Sequence, residues 1–209
     1  ASEPRCCRSL SAWRAIFDDW IHTLEAEDLL QAKIFFDFRG LLAADELTTA
    51  LVEHLHAEVA REPRFLHLLA RSILQYEPPL GAFGGFVLEE GAADRATFDV
   101  KGVLAQVVDF ARLRALQHGV AATATLDRLT ALAEGGHLRR ETAEETADAF
   151  RYLMDLRLQH QARRVLDRLE PDNRIAPDEL DAAERKRLKT VFTHVKALQT
   201  SLNHEFKGA

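Results

Sequence analysis

The chain is 209 residues long, with 27 Lys and Arg against 33 Asp and Glu and a formal net charge of −6, which argues against a module that binds nucleic acid by neutralising phosphates. Short basic runs at Arg139-Arg140 and Arg185-Lys186-Arg187 read as solvated helix faces. With 47% hydrophobic and 29% charged residues, a chain of this size buries about 70% of its unfolded surface and needs no covalent staples.

Two adjacent cysteines, Cys6 and Cys7, make no disulfide framework, because neighbouring residues rarely satisfy disulfide geometry. The sequence shows no leading apolar segment of signal type and no run long enough to span a bilayer. The expectation is a cytoplasmic protein without membrane contact.

The elements follow in order. Ser9 or Ser11 caps a first helix with Trp13, Ile16, Phe17, Trp20 and Ile21 on one stripe. A second helix opens near Asp28 and carries Leu29, Leu30, Ile34, Phe35 and Phe38, with Arg39-Gly40 at its end. Asp45 caps a third through Leu47, Leu51, Leu55 and Val59, and Pro63 starts a fourth that reaches Tyr76. Pro78, Pro79, Gly81, Gly84 and Gly85 then break the helical pattern. The runs Phe86-Val87-Leu88 and Thr97-Phe98-Asp99-Val100, separated by a Gly-Ala turn, predict a compact irregular or two-stranded insert ordered by Phe83, Phe86 and Phe98.

After the insert, Leu104, Val107, Val108, Ala111 and Ala115 mark a central helix ending at Gly119. A short helix from Thr125 stops at Gly135-Gly136. The longest runs over 140–169, with Ala147, Phe150, Met154, Leu158 and Val165 expected inward. A turn at Glu170-Pro171-Asp172-Asn173 precedes a last helix from Pro177, whose Leu188, Val191, Val195, Leu198 and Leu202 repeat almost as a heptad. That repeat predicts an antiparallel partner inside the chain, with a coiled-coil homodimer as the alternative. The fold class expected is all-α: a bundle of four or more long helices with an N-terminal helical arm.

No Walker-type GxxxxGK[ST], HExxH, GxSxG or CxxC motif occurs. His54 and His56, two residues apart, face different sides of a helix and make a poor metal pair with each other, so no catalytic metal is expected. Three polar groupings remain: Asp109 with Arg112; Arg157 with His160 and Gln161; and Lys101 at a helix start together with the Asp172-Asn173 turn. The plain reading is that these groups fix helix register. The functional reading is that they converge on a polar pocket between helices, the usual ligand position in bundles. There Lys101, Arg112, Arg157 and His160 would hold anionic groups, and Asp109 and Gln161 would orient them. The spacing Arg112-x5-His118, with Arg114 between, is similar to that of helical ribonucleases of the HEPN class.

Several runs in order resemble one family: Ile34-Phe35-Phe36-Asp37-Phe38-Arg39, Pro78-Pro79-Leu80-Gly81-x-Phe83-Gly84-x-Phe86, and Phe98-Asp99-Val100-Lys101. Val108-Asp109-Phe110-Ala111-Arg112-Leu113, Leu156-Arg157-Leu158-Gln159-His160-Gln161 and Pro171-Asp172-Asn173 follow. The series looks like the C-terminal, substrate-binding domain of the DUF294 nucleotidyltransferases, which are similar to the protein-PII uridylyltransferases. Two positions depart from the family pattern: Arg114 stands where a tyrosine is usual, and Ala176 stands where an Asp usually caps the helix.

Such an enzyme needs a Gly-Ser turn for the nucleotide phosphates and an Asp-x-Asp pair for Mg²⁺. Neither occurs in this sequence. The resemblance therefore implies a helical arm over 1–42 and a substrate-binding bundle over 43–209, non-catalytic alone. Mg²⁺ and a nucleoside triphosphate would belong to a catalytic domain in cis or in trans, and the acceptor would be a protein or a small molecule.

Overall fold

A computed structural model describes residues 7–41, 45–81, 83–90 and 96–206, and among these the chain forms eight α-helices and three short strands. Helix α1 (Leu10–Thr23) starts where the Ser9 hydroxyl accepts the Ala12 N–H at 3.2 Å, and it ends at Leu24 in the left-handed region. Its buried Phe17 and Ile21 face α3 (Asp45–Arg61), which buries Leu51, Leu55 and Val59 in return. Between them, α2 (Ala26–Phe35) closes an aromatic cluster, with Phe17 and Phe36 rings 4.9 Å apart and Trp20 and Phe35 rings 5.3 Å apart.

Helix α4 (Pro63–Leu74) begins on Pro63, whose missing N–H costs nothing in a first turn. The insert then folds back on itself. Gly81 N–H donates to the Gly85 carbonyl at 2.8 Å, Gly84 takes the positive φ that this tight turn requires, and Leu80 bridges to Phe86. Strand β1 (Glu89–Glu90) pairs antiparallel with β2 (Ala96–Asp99); the expected turn between them, at 91–95, lies outside the described residues. A third strand, β3 (Arg174–Ile175), pairs with the other edge of β2, so that Phe98 lies opposite Ile175. The sheet therefore has three strands in the order β1-β2-β3, one more than the hairpin expected. Its extra strand comes from 75 or more residues downstream, beyond the reach of any local pattern. Phe86 and Phe98 pack on Phe192, while Phe83 is fully exposed.

Helix α5 (Val100–Gln117) is capped by the Asp99 carboxylate, which accepts the Lys101 N–H at 2.9 Å, and it is buried on most sides. Helix α6 (Thr125–Glu134) and α7 (Arg140–Leu166) pack against it, and α8 (Ala182–Phe206) closes the bundle. The last helix does not start at Pro177. A 3-10 turn occupies Pro177–Glu179, Leu180 is extended, and Asp181 and Glu184 cap α8 by exchanging side-chain-to-backbone hydrogen bonds at 2.8 Å.

The inward face of α7 also differs from expectation. Ala143, Thr146, Ala149, Leu153, Leu156 and His160 are buried, whereas Leu158 and Val165 are 55% and 59% exposed. Two polar residues lie on the true stripe: Thr146 touches His194 at 2.9 Å, and His160 sits between two carboxylates. Counting apolar residues alone rotated the helix away from them.

Two large apolar cores result, beside a small cluster of Ala111, Leu129 and Ala143 where α5, α6 and α7 meet. One joins α1 to α4 with Phe110, Leu113 and Leu116 of α5 and Leu198 and Leu202 of α8. The other joins β2, β3 and α7 with the first half of α5 and with Leu188, Val191, Phe192 and Val195 of α8. The near-heptad stripe of α8 is thus buried within the chain. No described helix is long and apolar enough to cross a membrane.

Candidate functional site

The six site residues expected from the sequence divide between α5, with Lys101, Asp109 and Arg112, and α7, with Arg157, His160 and Gln161. Toward the C-terminal half of α5, Arg112 reaches Asp37, in the turn after α2, with Nε 3.3 Å from Oδ1 and Nη2 2.6 Å from Oδ2. Its Nη1 donates to Asp109 Oδ1 at 2.5 Å, and Lys33 meets the other Asp109 oxygen at 2.5 Å. Arg128 of α6 donates Nη2 to Asp37 and Nε to the Ala122 carbonyl at 2.8 Å. Asp109, Arg112 and Arg128 are all buried. Burial pushes the Asp37 carboxyl up, but the hydrogen bonds from Arg112 and Arg128 hold it below the usual carboxylate value. Burial lowers the Arg112 pKa, while Asp37 and Asp109 more than reverse that and leave it raised. This network ties the turn after α2, α5 and α6 together.

Arg157, His160 and Gln161 of α7 meet the 172–173 turn near the head of α5, where Lys101 stands in the first turn. Val100 N–H donates to the Asn173 carbonyl at 3.0 Å, which brings the 171–173 turn against the start of the helix. The Asn173 side-chain oxygen accepts from Arg157 Nε at 2.7 Å and from Gln161 Nε2 at 3.1 Å. His160 is buried, with Nε2 2.8 Å from Asp172 and Nδ1 3.3 Å from Glu179. Arg164 meets the second Asp172 oxygen at 3.0 Å. Burial raises the Asp172 pKa, yet the hydrogen bonds from His160 and the Arg174 N–H, with the charge of Arg164, leave the carboxyl below its usual range. Lys101 is exposed, and its ammonium meets no hydrogen-bond or ion partner among the described residues. Asp109 and Arg112 lie eight and eleven residues further along α5, about 12–17 Å at helical rise. The structure therefore gathers Arg157, His160 and Gln161 around the 172–173 turn, sets the backbone next to Lys101 against that turn, and keeps Asp109 and Arg112 in a separate network.

A cavity of about 500 Å³ that the sequence reading did not anticipate lies between the ends of α5, α7 and α8. The His118 and His137 rings stack in it at 4.2 Å, and Arg114 is fastened to Glu205 at 2.6 Å and to Gln117 at 2.9 Å. Burial, with His137 and Arg114 nearby, lowers the His118 pKa. Arg112 and His118, a pair by spacing, have separate surroundings: Asp37 and Asp109 hold the arginine, and the histidine faces His137. Through Glu145, His194 and Ala197 this cavity adjoins a groove of about 670 Å³ along α7 and α8, lined also by Lys186, Arg187 and Lys189. Arg139, Lys186 and Arg187 thus line concave surface. The residues that hold the two groups in place, Asp37, Arg128 and Glu179, stand far along the chain from their partners, so no helical spacing announces them.

Comparison with curated proteins and with solved structures found no match. One family model does match, over residues 63–206, from the start of α4 to the end of α8, leaving α1 to α3 outside the matched range. Its description is "putative nucleotidyltransferase substrate binding domain". With more than half its length matched, the chain belongs to that family, the C-terminal domain of the DUF294 proteins.

Proposed function

We propose that this chain is the acceptor-binding part of a cytoplasmic nucleotidyltransferase and does not itself transfer the nucleotide. The observation that carries the reading is the group at the head of α5. Lys101, whose ammonium meets no partner among the described residues, follows Val100, and the Val100 N–H binds the same Asn173 that accepts from Arg157 Nε and Gln161 Nε2. Cations left open on one small surface suit anionic groups of an acceptor, with the planar guanidinium giving direction. Gln161 would orient the bound group. His160, held on both ring nitrogens by carboxylates, positions the 171–179 segment around it. Asp109 and Arg112 are better explained by the clamp they form with Asp37.

The same surface does not suit Mg²⁺ and a triphosphate. Its two carboxylates, Asp172 and Glu179, stand on opposite nitrogens of the His160 ring, with Arg164 on Asp172, too few oxygens and too much positive charge for the oxygen shell that Mg²⁺ requires. Metal and nucleotide are therefore assigned to a catalytic domain, in cis or in trans.

The test uses the enzyme containing this domain. Removing one charge-assisted contact costs about 1.5–3 kcal/mol, so Arg157→Ala and Lys101→Ala should each raise the KM for acceptor about 10- to 150-fold and leave the KM for nucleotide unchanged. An acceptor KM unmoved in both variants sinks the reading.

A further inference from the structure

The sequence carries two i,i+4 pairs of metal-ligating residues on neighbouring helices: Asp18 and His22 on α1, His54 and Glu58 on α3. Residues four apart share a helix face, and α1 and α3 pack face to face. The pairs meet across that seam. His54 Nε2 lies 2.6 Å from Asp18 Oδ1, and His22 Nε2 lies 3.2 Å from Glu58 Oε2. One ligand atom from each of Asp18, His54 and Glu58 falls within 4.8 Å of the other two.

We propose that Asp18, His54 and Glu58, with His22 at their edge, form a binding site for a divalent transition-metal ion of the zinc class. Tetrahedral coordination with bonds near 2.0–2.1 Å places ligands about 3.4 Å from one another. A spread of up to 4.8 Å closes to that by small side-chain rotations, with the helices left where they are. The donors are mixed imidazole and carboxylate, which favours zinc, cobalt or nickel over magnesium or calcium, whose shells are oxygen only. Local charge agrees. Asp18, Glu58 and Glu62, which lies 3.8 Å from His22, bring three negative charges, and Arg61 on Glu58 returns one positive. The remaining two match a divalent cation.

Access and support agree as well. The side chains of His54 and Glu58 are 20% and 12% exposed, forming a sheltered floor, while those of Asp18 and His22 are 41% and 44% exposed on the solvent side, where an ion enters. Arg61 and His22 each hold a Glu58 oxygen and so orient the carboxylate. A bound ion would replace the His54–Asp18 hydrogen bond with coordination and lock α1 onto α3. The site lies outside the matched range of 63–206 and does not depend on acceptor binding.

The experiment titrates the chelator-treated chain with zinc alone, followed by calorimetry and by thermal unfolding. The expected result is one equivalent bound, with Tm raised by about 5–10 °C at a hundredfold excess over Kd, and no response to magnesium. His54→Gln and Glu58→Gln, which keep a hydrogen-bonding side chain, should each weaken binding by 30-fold or more; His204→Gln on α8 should not. If either variant disturbs the helix pair, Asp18→Asn, on the more exposed side, gives the same readout. Absence of binding at millimolar zinc, or binding that all three ligand variants leave intact, would overturn the site and leave two ion pairs across the seam.

Discussion

The two charged groups that meet α5 both set arginine against carboxylates and end in opposite states. In the clamp around Asp37, Arg112 spends its guanidinium on two carboxylates, Lys33 takes the remaining Asp109 oxygen, and Asp109, Arg112 and Arg128 are buried while Asp37 and Lys33 are partly so. At the head of the helix, Asp172 and Glu179 are taken up by His160 and Arg164, and the leftover groups are the cations of Lys101 and Arg157. What separates a structural from a binding use of arginine is therefore the balance of charges around it and its access to water. A buried pair with one partner removed leaves a charge that neither water nor protein answers, whereas an exposed one is resolvated.

Arg112→Ala gives the largest effect that would test this contrast. It removes three charge-assisted hydrogen bonds, leaving Asp37 to Arg128 and Asp109 to Lys33, and should cost about 3–5 kcal/mol, a fall in Tm of about 6–20 °C. Arg157→Ala should stay within about 1 kcal/mol in the same unfolding assay. Asp37 also sets a sign. Its folded-state pKa lies below the unfolded value of 3.8, so its contribution is full above about pH 4 and is lost as pH falls through the lower folded value. Arg112→Ala should weaken that acid loss as well as the neutral-pH stability. If Arg157→Ala destabilises more than Arg112→Ala, the two groups have been assigned the wrong way round.

Much of this was legible in the sequence, and the illegible part has one character. Helix stripes such as Leu51-Leu55-Val59 and Leu188-Val191-Val195, the Pro63 start and the Gly81–Gly85 break are local signals, and the chain folds as they indicate. The third strand, the Asp37–Arg112 and Arg128 contacts and the seam between His54 and Asp18 join segments tens of residues apart. His54 was weighed against His56, two positions away on another face, and its true neighbour lies on α1. The α7 stripe was misplaced because Thr146 and His160 are polar yet inward, each satisfied by a partner from another segment. Arg114, where the family pattern leads one to expect a tyrosine, likewise finds its meaning at Glu205 on α8.

A smaller effect tests how rigidly the head of α5 is held. Gly102 lies in its first turn, where an added Cβ would stand 2.6 Å from the Tyr76 ring. Gly102→Ala should cost about 1–3 kcal/mol by overpacking. Tyr76 reports the change directly: its hydroxyl donates to the Asp99 carbonyl at 3.3 Å, and burial, with Asp99 and Glu89 nearby, pushes its pKa up to about 12. Displacing the ring should return that titration toward 10 in an absorbance experiment, with Tyr152 as the other tyrosine in the trace. An unchanged high pKa in Gly102→Ala would mean that the turn yields elsewhere and that the binding surface at Lys101 is softer than its contacts imply.

The smallest effect lies outside the two groups, at the cavity between the ends of α5, α7 and α8. Burial lowers the His194 pKa, with Glu145 opposing, and burial together with His137 and Arg114 lowers that of His118. A histidine whose folded pKa is depressed binds fewer protons than its unfolded counterpart. Its contribution is therefore full above the unfolded value near 6.5 and is lost as pH falls through the lower folded value. Urea unfolding should show stability nearly level from pH 8 to 7 and falling modestly below 6.5, well before the carboxylates begin to titrate. His194→Gln, which keeps a group able to meet Thr146, should remove part of that early decline and leave the loss below pH 4 in place. Stability that instead rose from pH 7 to 5 would mean the imidazoles are better held charged. The cavity would then be an anion site competing with the head of α5 for the acceptor.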